Sequence, residues 1–210
     1  MEQKVSQEIF KAFSLIKEKK FFEAERLLQD NLQKKDPQKE PVACALLYST
    51  LGFLNRARGE MKAAWRMYEQ AEKQMPKDPS LKIIMARFLI EEFSQYGTAL
   101  KKAKTGLKLA EGIPSLEHQA RTVIGLAHLK KGNKKKAVQA LKLLLEIGFE
   151  EMISAENIDF TLIEALLHRN LERDLCQQYV QKGLEFARGK NEKRAILIMQ
   201  KLLEGIKEAA

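Results

Sequence analysis

Residues 48–76, YSTLGFLNRARGEMKAAWRMYEQAEKQMP, constrain this chain more than any other stretch. Apolar residues recur at helical spacing on either side of Gly59, so the stretch reads as two amphipathic helices joined by a tight turn. Tyr48, Leu51 and Gly52 share one face of the first helix, and Ala64, Tyr68 and Ala71 share one face of the second. Pro76 ends the unit. A single pair of this length buries too little surface to stand alone and needs neighbours of its own kind. The chain supplies them. Phe88, Leu89 and Ala99 each stand 35 residues after Phe53, Leu54 and Ala64, and KGLEFA at 182–187 echoes TGLKLA 77 residues earlier.

The order aromatic, Leu-Gly, aromatic, Ala, aromatic, Ala, Pro over about 34 residues resembles the tetratricopeptide repeat (TPR). The clear departure in this copy is Asn55, where the family usually carries a large ring. Laid on that pattern, the chain gives repeats at about 5–38, 45–78, 80–112 and 118–151, a divergent copy at 157–189, and a C-terminal capping helix at 191–208. Ala12, Leu15, Ala24 and Leu28 hold the packing places of the first copy, and Ile83, Ala86, Ile90, Ala99, Ala103 and Gly106 those of the third. Arg87 stands where the family prefers a small residue. Ile124, Gly125, Gly132 and Ala137 recover the pattern in the fourth copy, and Phe160, Ile163 and Leu167 form the stripe of the fifth. Ala195, Ile198, Leu202 and Ile206 line one face of the last helix. The resemblance implies an all-α fold, a right-handed α-α superhelix of about eleven antiparallel helices. It forms one solenoid domain over 1–210, with the first helix of each repeat on the inner side.

Composition agrees with a helical globular chain, being 45% hydrophobic and 31% charged with five Pro. Cys44 and Cys176 lie in apolar helical contexts with no CxxC partner, which argues against metal and redox roles and suits a reducing compartment. The N-terminal twenty residues are broken throughout by Lys and Glu, unlike a signal peptide. No stretch approaches the roughly 18 apolar residues of a membrane span. The expectation is a cytoplasmic protein without a cofactor. His118, His128 and His168 are isolated in sequence, His128 reads as a half-buried structural histidine, and no nucleophile, metalloprotease or phosphate-loop signature occurs, so an enzyme is not expected.

The informative positions are those the resemblance places on the inner groove. They are Ser49, Thr50 and Phe53 in the second repeat, Ile84, Met85 and Phe88 in the third, and Thr122, Val123 and Leu126 in the fourth. Ile9, Phe10 and Phe13 take these places in the first. The family's chaperone-tail binders use Lys and Asn at such positions to clamp a terminal carboxylate. None stands here, so that activity is not implied. A mostly apolar row left in water marks a binding surface, which points to a partner protein contributing an apolar peptide or an amphipathic helix. Three other readings of the row are a packed core, cover by the C-terminal helix, and pairing of two copies; a monomer is favoured.

The net charge is +9. Much of it gathers at Lys130, Lys131, Lys134, Lys135 and Lys136 around Gly132-Asn133, an exposed turn between two helices. The cluster reads either as a solvated turn or as a contact for an acidic partner, phosphates or anionic lipid. No aromatic residue interleaves with it, which argues against nucleic acid as the partner. A nucleic-acid- or polyanion-associated protein using this basic surface and a self-associating structural protein are the competing functional classes.

Overall fold

The computed structural model describes residues 2–208. Among them are eleven α-helices, one 3-10 turn at Ala155–Asn157, and no strand. The helices are α1 (Glu2–Lys17), α2 (Phe21–Gln33), α3 (Pro41–Ala57), α4 (Met61–Gln74), α5 (Pro79–Glu91), α6 (Tyr96–Leu109), α7 (Pro114–Lys130), α8 (Lys134–Ile147), α9 (Thr161–Leu167), α10 (Arg173–Gly189) and α11 (Lys193–Glu208). α3 and α7 begin at Pro41 and Pro114, ahead of the repeat starts expected at 45 and 118. Each proline occupies the first turn, where its missing N–H costs no bond and its fixed φ suits a helix.

The turns repeat one chemistry. Gly59 and Gly132, with φ of 82° and 89°, reverse the chain after α3 and α7, in a left-handed conformation that glycine adopts freely. The following N–H then reaches back five residues, from Glu60 to the Asn55 carbonyl and from Asn133 to the His128 carbonyl, 2.8 Å in each case. This closes the helix end by satisfying an orphan acceptor. The same backward bond joins Lys20 to Leu15, Leu171 to Leu166 and Glu192 to Ala187. There Lys19, Asn170 and Asn191 take the positive φ without being glycine. The turn is thus a property of the repeat, and glycine only lowers its cost.

The chain divides into two compact units, Met1–Leu81 and Lys82–Ala210. In the first, α1 packs on α2 and α3, and α3 on α4. Ala12, Ile16, Ala24, Leu28, Leu47, Leu51 and Leu54 form its buried core. Gly52 has no side chain because the Tyr68 ring occupies the space: a Cβ there would lie 2.8 Å from Tyr68 Cε1. Arg58 fastens α2 to the end of α3, with its Nη1 donating to Glu25 Oε2 at 2.7 Å and its guanidinium over the Phe21 ring.

In the second unit α7 is flanked by α6, α8 and α9, and α10 packs on α8, α9 and α11. Gly125 admits the neighbouring helices, since a Cβ there would meet Leu162 Cδ2 at 2.5 Å and the Ala140 Cβ at 3.0 Å. α11 lies against α10 and the 3-10 turn. Its buried face is Ala195, Met199, Leu203 and Ile206, whereas Ile198 is exposed and Leu202 half-buried. The stripe expected from sequence is therefore rotated, because steps of four residues keep Met199 and Leu203 on the packed side.

Candidate functional site

The first unit carries the most open apolar surface that the sequence anticipated. Phe10 is 72% exposed and Phe53 is 43% exposed. The half-buried Phe13, about one helical turn after Phe10, meets the Phe53 ring edge-on at 5.3 Å. α1 and α3 are in contact, so these rings form one apolar face from two helices. Leu46, two turns before Phe53 on the same helical stripe, is exposed as well and extends the face. Ile9 is half-buried and packs on the unit's core. Thr50 is buried and its hydroxyl donates to the Leu46 carbonyl at 2.8 Å, while Ser49 bonds the same carbonyl at 2.9 Å. Those two hydroxyls are spent on their own helix.

The second unit treats the row differently. Ile84 remains exposed, but Met85, Phe88, Val123 and Leu126 are buried and belong to the packed interior, not to an open face. Phe88 is wholly inaccessible and stacks edge-on against Phe93 at 5.4 Å. The Met85 thioether lies 3.9 Å from the Lys102 ammonium of α6. Val123, Leu126 and the buried Thr122 sit on α7, which three helices enclose, and Thr122 donates to the His118 carbonyl at 3.1 Å.

Polar groups tie this interior together. Arg87 is no packing defect: its guanidinium pairs with Asp159 and donates to Thr161 Oγ1 at 3.4 Å. Asp159 in turn accepts from the Thr161 N–H and hydroxyl, at 3.0 and 2.7 Å, and so fixes the start of α9. The Tyr179 hydroxyl and His118 Nε2 are 2.6 Å apart, with Phe149 and Phe160 around the phenol ring. Burial drives the His118 pKa down to about 4, against the opposing pull of Asp159. The same burial pushes the Tyr179 phenol well above its usual value. Both cysteines are fully buried, and burial raises the Cys176 thiol to about 12, an environment of inert thiols. Among the described residues no group of His, Cys, Asp and Glu could hold a metal ion, and no helix is long and apolar enough to cross a membrane.

At the α7–α8 turn the lysines border a surface basin of about 590 Å³. Lys131, Lys134, Lys135 and Lys136 line it, Lys130 does not, and Lys104 joins from α6. His128 contributes its ring and is 9% exposed. Asn133 caps α8, its side chain accepting from the Lys136 N–H at 3.2 Å.

Three solved structures share this architecture. One reports the functional characterization of Pseudomonas aeruginosa pilF, at 13% identity and TM-score 0.63, covering 100% of this chain and 94% of that one. A MamA RS-1 double mutant aligns at 15% identity and TM-score 0.55, covering 90% and 97%. A tetratricopeptide repeat protein from Parabacteroides merdae aligns at 19% identity and TM-score 0.56, covering 96% and 80%. The chain has the tetratricopeptide-repeat fold. No protein-family model matches its sequence, and no curated protein does.

Within this TPR fold, three features escaped the sequence reading. Leu46 carries no signal beyond helical spacing. The His118–Tyr179 contact spans 61 residues and depends on how repeats four and five pack. Lys104 reaches the lysine basin from a neighbouring helix, so no linear cluster contains it.

Proposed function

We propose that this protein is a non-catalytic interaction scaffold that binds an amphipathic helix or apolar segment of another protein on the α1–α3 face. The observation that carries the reading is the exposure of Phe10 and Phe53 on two helices in contact, with Phe13 of the first helix meeting the Phe53 ring edge-on. Large rings held by rigid helices suit the anchors that dominate interface energies. Each large apolar side chain taken from water is worth roughly 1.5–3 kcal/mol, so leaving several of them wet is costly. The helical framework supports the reading, because stacked helix pairs present extended surfaces without loops that must be ordered on binding. An incoming helix would meet this face with apolar residues at steps of three and four.

A helical-peptide display selection against the full chain tests this. Peptides with apolar residues at those steps are expected to be enriched, and to lose about tenfold or more in affinity for the Phe10→Ala/Phe53→Ala variant. Selected peptides that bind the wild type and this variant equally would refute the assignment.

A further inference from the structure

The basin at the α7–α8 turn carries an inference independent of the α1–α3 face. Five lysines, Lys104, Lys131, Lys134, Lys135 and Lys136, line it, and no Asp, Glu or Arg does. None of the five is ion-paired among the described residues. Like charges gathered around one concavity focus the field and concentrate anions. The first turn of α8 borders the basin, with the positive end of the helix dipole behind it, although Asn133 Oδ1 already accepts the Lys136 N–H and the Gly132 carbonyl that of Lys134. His128, nine-tenths buried, lines the basin with its Nδ1 unpartnered.

We infer that this basin binds a ligand carrying two or three phosphate groups close together. Ammonium groups act as point charges suited to phosphate oxygens, and a phosphate brings about two negative charges where a carboxylate brings one, so clustered phosphates compensate five lysines in the smallest space. One phosphate, at about −2, would leave most of the five positive charges uncompensated. A cluster of phosphates matches them. The basin has no aromatic platform of the kind that holds single-stranded bases. His128 acts as a reporter: burial, Lys136, Lys104 and Lys131 hold its pKa below the usual value, and a bound anion offsets the three lysines.

The test is calorimetric titration of the full chain with inorganic tripolyphosphate at about 150 mM salt, where diffuse surface attraction is screened. One saturable site is expected, weakened at least about tenfold by Lys134→Gln/Lys135→Gln/Lys136→Gln. Lys101→Gln/Lys108→Gln/Lys142→Gln removes the same charge from exposed positions outside the basin and is expected to leave the affinity nearly unchanged. On saturation the His128 ring resonances move and its pKa rises. Absence of a saturable site, equal loss in both triple variants, or tighter binding of a poly-glutamate peptide or an RNA oligonucleotide than of tripolyphosphate would each overturn the proposal. Two arms then separate the sources of clustered phosphate. Capture on phosphatidylcholine vesicles doped with a phosphatidylinositol bisphosphate, lost in the first variant, assigns a lipid headgroup. Binding of soluble inositol hexakisphosphate without vesicle capture assigns a free phosphate.

Discussion

The Tyr179 hydroxyl and His118 Nε2 lie 2.6 Å apart, and His118 is 5% exposed. The pair joins α7 to α10 inside the second unit, where burial disfavours a charged imidazole more than Asp159 favours it. With a folded pKa of about 4 against an ordinary 6.5, the native state takes up its proton only at lower pH than the unfolded chain. Stability is therefore full above the ordinary value, falls as pH drops from about 6.5 towards 4, and levels off below that. The loss is on the order of 3 kcal/mol. Denaturant melts at stepped pH check it: the decline should vanish in His118→Gln. Tyr179→Phe should lower stability by about 1–3 kcal/mol at neutral pH by leaving a buried ring nitrogen unpaired.

Gly125→Ala should destabilise the second unit by about 1–3 kcal/mol, because the added methyl would enter space held by Leu162 and Ala140. Gly189→Ala, where nothing lies within 4 Å, is the control and should not destabilise the helix. Differential scanning calorimetry of the two variants separates close packing from helix propensity.

Asp159→Asn should cost about 1–3 kcal/mol, since it leaves the Arg87 guanidinium partly buried without its carboxylate. Arg87→Met/Asp159→Asn should recover part of that loss. A double-mutant cycle on unfolding free energies measures the coupling, expected at roughly 0.5–3 kcal/mol.

Ser94 holds a φ of 53° at an exposed turn. Ser94→Gly should stabilise the chain by about 0.5–1 kcal/mol, because glycine relieves the left-handed strain at a position where no side-chain packing is lost. A rise in Tm checks this, and Gly59→Ala should move it the opposite way.

These residues show what a linear reading can and cannot reach. Tyr68 opposite Gly52, and the turns at Gly59 and Gly132, follow from spacing because the partners lie within one helix pair. The element order was legible for the same reason. Burial along the inner row was not. Phe53 and Phe88 stand 35 residues apart in equivalent sequence settings, yet one is 43% exposed and the other inaccessible. The difference lies in what packs over each position, which no single repeat encodes. Arg87 illustrates the converse: it breaks the repeat pattern locally, and its reason, Asp159, lies 72 residues away.

The most direct test compares Phe53→Ala with Phe88→Ala in two readouts, unfolding free energy and affinity for a selected amphipathic peptide. Phe88→Ala should lose about 3–5 kcal/mol of stability, as expected for a fully buried ring. Phe53→Ala should lose clearly less stability while weakening the peptide about tenfold or more. If Phe53→Ala destabilised the chain as much as Phe88→Ala, or left peptide binding intact, the α1–α3 face would not be the interaction surface.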